Sequence, residues 1–154
     1  EFVRLALEAP GADSVDIGRL PEDEGGGRPG VARLLSEPMA GRTPFAPPIL
    51  RSGELYVSQT ANILQYLGPR LGVVADDEAG RLWAHQLQLT MADWLVEIHD
   101  THHPIAKSSY YEQQKDEASR RAADFLQLRL PKYLGYFERL LAARATAEPW
   151  LVST

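Results

Sequence analysis

Three consecutive side chains able to form hydrogen bonds, Ser58, Gln59 and Thr60, separate a short apolar strand from an apolar helix in YVSQTANILQYL. Threonine is a preferred N-cap, so we expect Thr60 to cap the helix that carries Ile63 and Leu67. The start of a helix also has unpaired N–H groups and a partial positive charge, which together attract a carboxylate or a phosphate. The junction therefore suits a cap alone, or a cap combined with a site for an anionic ligand.

A second group of chemically capable residues is HDTHHPIAKSSYY at 99–111, which has three histidines within five residues. His99 and His103 are four residues apart and would share one face of a helix, as metal ligands can. No carboxylate completes a zinc-protease pattern, and the chain has no cysteine. We therefore expect no metal at this cluster.

The composition excludes several classes of protein. The chain has 154 residues, of which 44% are hydrophobic and 24% charged, and this is typical of a globular protein. A net charge of −5 argues against a nucleic-acid partner, which normally requires a basic face. No apolar run reaches the roughly 20 residues that span a bilayer, and no signal peptide is visible. A cytoplasmic protein without a membrane partner is the simplest interpretation.

The apolar periodicity predicts two regions with different secondary structure. Within residues 1–68 we expect helices and short strands in alternation, with a glycine-rich, acidic loop at 21–30 and a turn at Ser52-Gly53. The predicted elements are a helix at 2–9, a strand at 15–17, a helix at 31–35, strands at 49–50 and 55–57, and a helix at 60–67.

In the remainder of the chain, the apolar periodicity predicts helices only. One long helix should run from about residue 78 to Pro104, and a second from Ala118 to Leu141 with a kink at Pro131. The sequence thus predicts an α/β domain at 1–68, a linker at 69–78 and a helical domain at 79–154.

The segment PFAPPILRSGELYVSQTANILQYL resembles the glutathione-binding half of cytosolic glutathione transferases. That family has a proline, two strands and then a Glu/Gln–Ser/Thr pair at the head of a helix. RLPKYLGYFERLL and the terminal EPWLV fit the same family. The resemblance implies a thioredoxin-like domain followed by an all-α domain. It also implies that the chain is incomplete at both ends, lacking the first strand and the last helices.

The resemblance further implies a set of glutathione contacts. Gln59 and Thr60 would hold the γ-glutamyl carboxylate, and Pro48 matches the cis-proline that opens the family's third strand. The residue before that proline normally pairs its N–H and C=O with the cysteinyl unit, but Pro47 has no N–H to donate. Arg42 would reach the glycyl carboxylate, unless it is a solvated surface arginine. The full set is Arg42, Pro47, Pro48, Ile49, Gln59 and Thr60.

Two further groups of residues follow from the same resemblance. His103, Tyr110 and Tyr111 would line the pocket for the acceptor substrate, with simple packing or surface exposure as the alternative. Phe45, on a loop expected to be exposed, would insert into a second copy of the chain. Asp93 would reach toward the partner's ligand in that homodimer.

The activity implied is conjugation or reduction of small hydrophobic electrophiles with glutathione, which serves as co-substrate, without a further cofactor and in a detoxification role. The thiolate is the nucleophile, so the enzyme must favour ionisation of the glutathione thiol. The family does this with a Tyr, Ser or Cys after its first strand, and nothing in 1–154 matches that residue. We therefore name no catalytic residue, and a non-catalytic binding or adaptor module is the alternative.

Overall fold

The computed structural model describes residues 1–36 and 43–143. The chain divides into two compact units, the first comprising Glu1–Arg81 and the second beginning at Leu82. Among the described residues, the strands lie in the first unit, and the second unit is helical. This organisation is consistent with a thioredoxin-like region followed by an all-α region, and the predicted fold class is confirmed.

The first unit contains three α-helices and one hairpin within its described part. The elements are α1 Phe2–Glu8, a 3-10 helix Glu22–Glu24, α2 Gly27–Ser36, β1 Ile49–Ser52, β2 Leu55–Ser58 and α3 Thr60–Leu71. β1 and β2 pair antiparallel with Leu50 opposite Val57. The two residues between the strands are Gly53 and Glu54, one position later than the predicted turn, and Gly53 has a φ of +61° that suits glycine.

The core of the first unit lies beneath α3. Val57, Ile63 and Leu67 are buried, and Ile63 is completely inaccessible to solvent. The side chains packed against them come from α1, β1 and α3, namely Val3, Leu7, Leu50, Tyr66 and Leu71. The position of α3 is therefore fixed by apolar contacts on the face opposite its polar residues.

The predicted strand at 15–17 is wrong, because this segment forms a turn instead. The Asp16 carboxylate accepts hydrogen bonds from Arg4 Nε and from the backbone N–H of Gly18, and its carbonyl accepts from the N–H of Arg19. A strand requires a partner along its length, and β1 and β2 pair only with each other within the described residues. Local hydrogen bonds of the aspartate therefore replace strand pairing.

The predicted loop at 21–30 is also partly wrong. It contains the 3-10 helix Glu22–Glu24, and α2 begins within it at Gly27, so the helix predicted at 31–35 is present but longer. The glycines permit this close packing: a Cβ on Gly30 would lie 2.3 Å from the carbonyl oxygen of Gly25. Side chains at these positions would prevent the turn from folding back against the helix.

Helix α3 extends beyond the point where Gly68-Pro69 was expected to end or bend it. It continues through Pro69 to Leu71 and ends at Gly72, which has a φ of +65°. This left-handed conformation is the common way to terminate a helix and is most accessible to glycine.

The second unit consists of helices joined by a loop. α4 spans Glu78–Asp100, α5 Lys115–Asp124 and α6 Leu130–Ala142, and a π-helical turn at Phe125–Arg129 connects the last two. In that turn the N–H of Leu130 donates to the carbonyl of Phe125, five residues back. The irregularity expected at Pro131 thus occurs as a wider turn just before it, because proline cannot donate the next backbone hydrogen bond.

Aromatic side chains form much of the interior of the second unit. Phe125, Tyr133 and Phe137 are buried. Trp94 of α4 stacks on Tyr133 at 5.3 Å between ring centroids and on Phe137 at 6.0 Å. No helix within residues 1–36 and 43–143 combines the length and hydropathy needed to cross a membrane.

Candidate functional site

The junction between β2 and α3 contains a residue with unusual backbone geometry. Gln59 has φ +70° and ψ +123°. Among the residues that the structure describes, the others with positive φ are glycines. Its carbonyl accepts the first hydrogen bond of the helix, from the N–H of Ile63 at 2.9 Å. Such a conformation costs about 1–3 kcal/mol and tends to occur at ligand-binding or catalytic sites.

The predicted N-cap is wrong by one residue. Gln59 is the N-cap and its side chain forms no capping hydrogen bond, whereas Thr60 is the first helical residue. The N–H groups of the first turn, at Thr60, Ala61 and Asn62, have no carbonyl partner within the helix, as in any α-helix. The same turn has no acidic residue, so the positive end of the helix dipole is not neutralised there.

The hairpin register brings two of the predicted contact segments to one end of the sheet. Ile49 lies opposite Ser58, so Pro47 and Pro48 lie at the same end of the hairpin as Gln59. The Pro47–Pro48 peptide bond is cis, as the resemblance implied. Both prolines are exposed, Gln59 is exposed and Ile49 is partly buried. This end of the hairpin therefore offers accessible polar groups beside the start of α3.

Two further residues were predicted in this part of the chain, Arg42 and Phe45. Arg42 lies outside the described residues. Phe45 is 93% exposed, which agrees with its expected place on an exposed loop. A separate open groove of about 610 Å³ runs between the segment at 13–17 and the hairpin residues Arg51, Gly53 and Glu54. None of the predicted glutathione contacts that the structure describes lines that groove, so we do not assign the site to it.

The predicted acceptor-pocket residues lie in the second unit, beyond the end of α4. His103 is partly buried and its ring stacks on His99 at 5.0 Å. Tyr110 is 79% exposed, and Tyr111 lies against His102, with 6.0 Å between ring centroids. Each of these two side chains therefore contacts the ring of a nearby histidine: His103 contacts His99, and Tyr111 contacts His102. Within residues 1–36 and 43–143, no three His, Asp or Glu side chains are grouped to hold a metal.

Two polar residues that the sequence did not single out are prominent in the same unit. Gln114 is 1% exposed and forms hydrogen bonds throughout the loop between α4 and α5. Glu97 of α4 accepts hydrogen bonds from Arg129 and Tyr133, and Arg129 is the main cause that lowers the Glu97 pKa to about 2. The hydrogen-bond partners of Glu97 are more than 30 residues away in sequence, so no local motif identifies this residue.

The sequence was compared with models of protein families and with known proteins. Residues 99–154 match the family model described as glutathione S-transferase, C-terminal domain. A glutathione S-transferase of Plasmodium falciparum (isolate 3D7) is 28% identical over 105 residues. In both comparisons the chain is similar to glutathione transferases. The alignment to the Plasmodium glutathione S-transferase covers 68% of this chain and 43% of the relative, so the chain spans less than half of that protein's length.

Proposed function

We propose that the chain acts as a glutathione transferase, which conjugates or reduces small hydrophobic electrophiles with glutathione as co-substrate. The observation that carries this proposal is the junction at Gln59 and Thr60. It combines a residue of positive φ, an unneutralised helix start and an exposed amide side chain. These features suit the γ-glutamyl end of glutathione, which presents a carboxylate.

The binding chemistry follows from the groups available. The first-turn N–H groups of α3 and the hydroxyl of Thr60 would donate to the carboxylate, and the Gln59 amide would bind the same γ-glutamyl end. Hydrogen bonds to a charged group contribute about 1.5–3 kcal/mol each. Ile49, beside Pro48 at the start of β1, would contact the cysteinyl unit, and Arg42 would meet the glycyl carboxylate. The first unit thus supplies the glutathione contacts of the proposal.

Pro47 changes how the cysteinyl unit would be held. Its carbonyl can accept the cysteinyl N–H, but it has no N–H to donate in return. The Pro47 site therefore offers one backbone hydrogen bond where most residues would offer two. Glutathione affinity in this chain would depend more strongly on Gln59 and Thr60.

The reaction requires glutathione thiolate. A thiol with a pKa near 8.5 is only a few per cent ionised at neutral pH, so the thiolate must be stabilised for rapid attack on an electrophile. We assign no residue of 1–154 to that role. The electrophile would lie near His103, Tyr110 and Tyr111, which supply an imidazole and two aromatic surfaces in the helical unit.

A symmetric homodimer is part of the same proposal. Phe45 is 93% exposed, and a large apolar side chain in this position is a natural contact for a second copy. Asp93 on α4 is also exposed and would extend toward the partner's ligand. Detoxification in the cytoplasm is the corresponding physiological role.

Isothermal titration calorimetry with glutathione tests the proposed site. Thr60→Ala should weaken binding at least several-fold, because it removes a donor to the carboxylate. Thr90→Ala is a matched control, since the Thr90 hydroxyl donates to Gln86 within α4, and it should leave binding unchanged. Equal affinities of wild type and Thr60→Ala would contradict the assignment. Binding of glutathione without increased thiolate absorbance would instead favour the non-catalytic module.

A further inference from the structure

The loop between α4 and α5 is held together by one buried amide. Gln114 is 1% exposed, and its Oε1 accepts hydrogen bonds from the N–H groups of Ile105 at 3.0 Å and Ala106 at 3.3 Å. Its Nε2 donates to the carbonyls of Ala106 at 3.0 Å and Ser109 at 3.1 Å. Because a backbone N–H can only donate and a carbonyl can only accept, the amide cannot be turned over without losing these bonds.

The same amide connects the loop to the end of α4 through His103. Gln114 Nε2 lies 3.2 Å from His103 Nδ1, and an amide nitrogen donates hydrogen bonds but does not accept them. His103 Nδ1 therefore accepts this hydrogen bond with its lone pair. The backbone N–H of His103 donates to the carbonyl of His99 at 3.2 Å, which ties the residue to the last turn of α4. We call the hydrogen bond between Gln114 Nε2 and His103 Nδ1 the latch.

Protonation of His103 is incompatible with the latch. In an imidazolium ring both nitrogens carry hydrogen, so Nδ1 would become a donor and face the N–H of the Gln114 amide. The amide is held by its backbone partners and cannot present its oxygen instead. A proton that binds His103 only when the latch is open shifts the equilibrium toward the open loop, as any ligand of one state does.

The charged groups around the ring do not offset this effect. The His103 ring stacks on that of His99 with 5.0 Å between centroids, so two imidazolium rings would repel each other there. The Asp100 carboxylate lies 3.8 Å from Nδ1 of His99 and is the anion of this cluster. Within residues 1–36 and 43–143, no carboxylate forms an ion pair with His103 itself. In that part of the chain, a protonated His103 therefore has no counter-ion that would stabilise the closed loop.

We propose that the latch is an acid-sensitive switch: protonation of His103 breaks its hydrogen bond to Gln114 and opens the loop between α4 and α5. An ordinary histidine titrates near pH 6.5, so the ratio of open to closed loop should rise about 10-fold between pH 7.5 and pH 5.5. The hydrogen bonds concerned lie within the second unit, so the switch does not depend on the proposed function.

Amide hydrogen exchange, followed by nuclear magnetic resonance on the 15N-labelled full chain, tests the switch. The N–H groups of Ile105 and Ala106 bond to Gln114 Oε1, so their protection, relative to an unstructured chain at the same pH, should fall about 10-fold from pH 7.5 to pH 5.5. The N–H of the buried Phe137 in α6 should retain its protection. Unchanged protection of the two loop amides would overturn the proposal, and so would an equal loss at all three residues, which would mean unfolding of the whole unit.

His103→Asn tests which group takes up the proton. The asparagine oxygen can accept from Gln114 in place of Nδ1, but it takes up no proton in this pH range, so the two loop amides should be equally protected at both pH values. His102→Asn is the matched control, because His102 is exposed and its Nδ1 lies 2.9 Å from the Thr101 hydroxyl. A pH dependence that survives His103→Asn, or one that His102→Asn also abolishes, would contradict the assignment to His103.

The side chain of Gln114 provides a second measurement on the wild type, which decides the question if His103→Asn does not fold. Its amide hydrogen signals should shift as the latch breaks, with the same midpoint as the ring signals of His103. Gln114 signals that do not change with pH, or that change with a different midpoint, would overturn the proposal.

Discussion

Arg129 donates two hydrogen bonds to the carboxylate of Glu97, from Nε to Oε2 at 2.8 Å and from Nη2 to Oε1 at 2.6 Å. The hydroxyl of Tyr133 donates to the same carboxylate at 2.9 Å. The pair joins α4 to the π-helical turn, across 32 residues of sequence. Two parallel bonds to one carboxylate give both strength and a defined geometry, so this contact should fix the relative position of these helices within the second unit.

The first prediction concerns acid stability. The Glu97 pKa is lowered from 4.5 to about 2, chiefly by the hydrogen bonds from Arg129. A group with a depressed folded-state pKa stabilises the fold above its unfolded pKa, and this contribution disappears as the pH falls through the folded pKa. Urea unfolding should therefore show a loss of stability between about pH 5 and pH 2 that Glu97→Gln reduces, and the Asp16 carboxyl, whose pKa is lowered chiefly by its hydrogen bond from Arg4, contributes to the loss that remains.

The same variant should be less stable at neutral pH. We expect Glu97→Gln to lower the free energy of unfolding by on the order of 1–2 kcal/mol at pH 7, after allowing for solvent screening of a partly exposed pair. Glu117→Gln is the control, because Glu117 pairs with a well-exposed Arg120 at 3.4 Å and lies in the first turn of α5, so its effect should be smaller, about 0.3–1 kcal/mol at most. Equal effects of the two substitutions would show that the Glu97 contact contributes no more than a surface pair.

The second prediction separates stability from binding at Gln59. Its φ of +70° disfavours any residue except glycine, so Gln59→Gly should raise or maintain the melting temperature. The same change removes the amide that is proposed to hold glutathione, and affinity measured by calorimetry should fall several-fold.

Gln65→Gly provides the matched control for that experiment. Gln65 is exposed in the middle of α3, where glycine costs about 1 kcal/mol of helix stability and no ligand contact is proposed. Gln65→Gly should thus lower the melting temperature, whereas Gln59→Gly should not. A melting temperature lowered equally by both would mean that the backbone at Gln59 is not strained.

Local patterns predicted the parts of the fold that depend on neighbours in sequence. The hairpin and α3 follow from strand alternation, a glycine turn and helical apolar spacing, and the apolar residues Ile63 and Leu67 that mark this helix in the sequence are buried. The prediction of a strand at 15–17 was wrong because the alternation of apolar and polar residues does not show whether a second strand is available for pairing. In that segment Asp16 forms its hydrogen bonds with nearby backbone and with Arg4 instead.

The site was predicted unevenly for related reasons. Gln59 and Thr60 could be named as candidates because strand, polar junction and helix are contiguous, but which of them is the N-cap depends on a backbone dihedral angle that composition does not specify. Gln114 and Glu97 were missed because their roles depend on groups brought together by folding. Glutamine before a helix and glutamate within one are too common to carry such a signal.

The third prediction concerns the exposed Phe45. If its side chain packs into a second copy of the chain, Phe45→Ser should weaken the dimer, and light scattering at micromolar concentration should give the mass of a monomer. Leu55→Ser is the control, since Leu55 is also exposed in the same unit and is not assigned to the contact. A wild-type monomer under these conditions would contradict the dimer.

The fourth prediction concerns the hydrogen bond that Pro47 cannot donate. Pro47→Ala restores one N–H at the position proposed to face the cysteinyl carbonyl, and a neutral hydrogen bond contributes about 0.5–1.5 kcal/mol. Glutathione should therefore bind about 2- to 10-fold more tightly. The variant should also lose some stability, because alanine leaves the unfolded chain more flexible, so affinity must be measured well below the melting temperature.

Two controls isolate that hydrogen bond. Pro29→Ala also removes an exposed proline of the first unit, but from the first turn of α2, and it should leave glutathione affinity unchanged. γ-Glutamylcysteamine lacks the cysteinyl carbonyl, so it should bind wild type and Pro47→Ala equally well. If this ligand gained as much affinity as glutathione, the improvement would come from altered loop conformation rather than from the restored N–H. If neither ligand gained affinity, residue 47 would not face the cysteinyl unit.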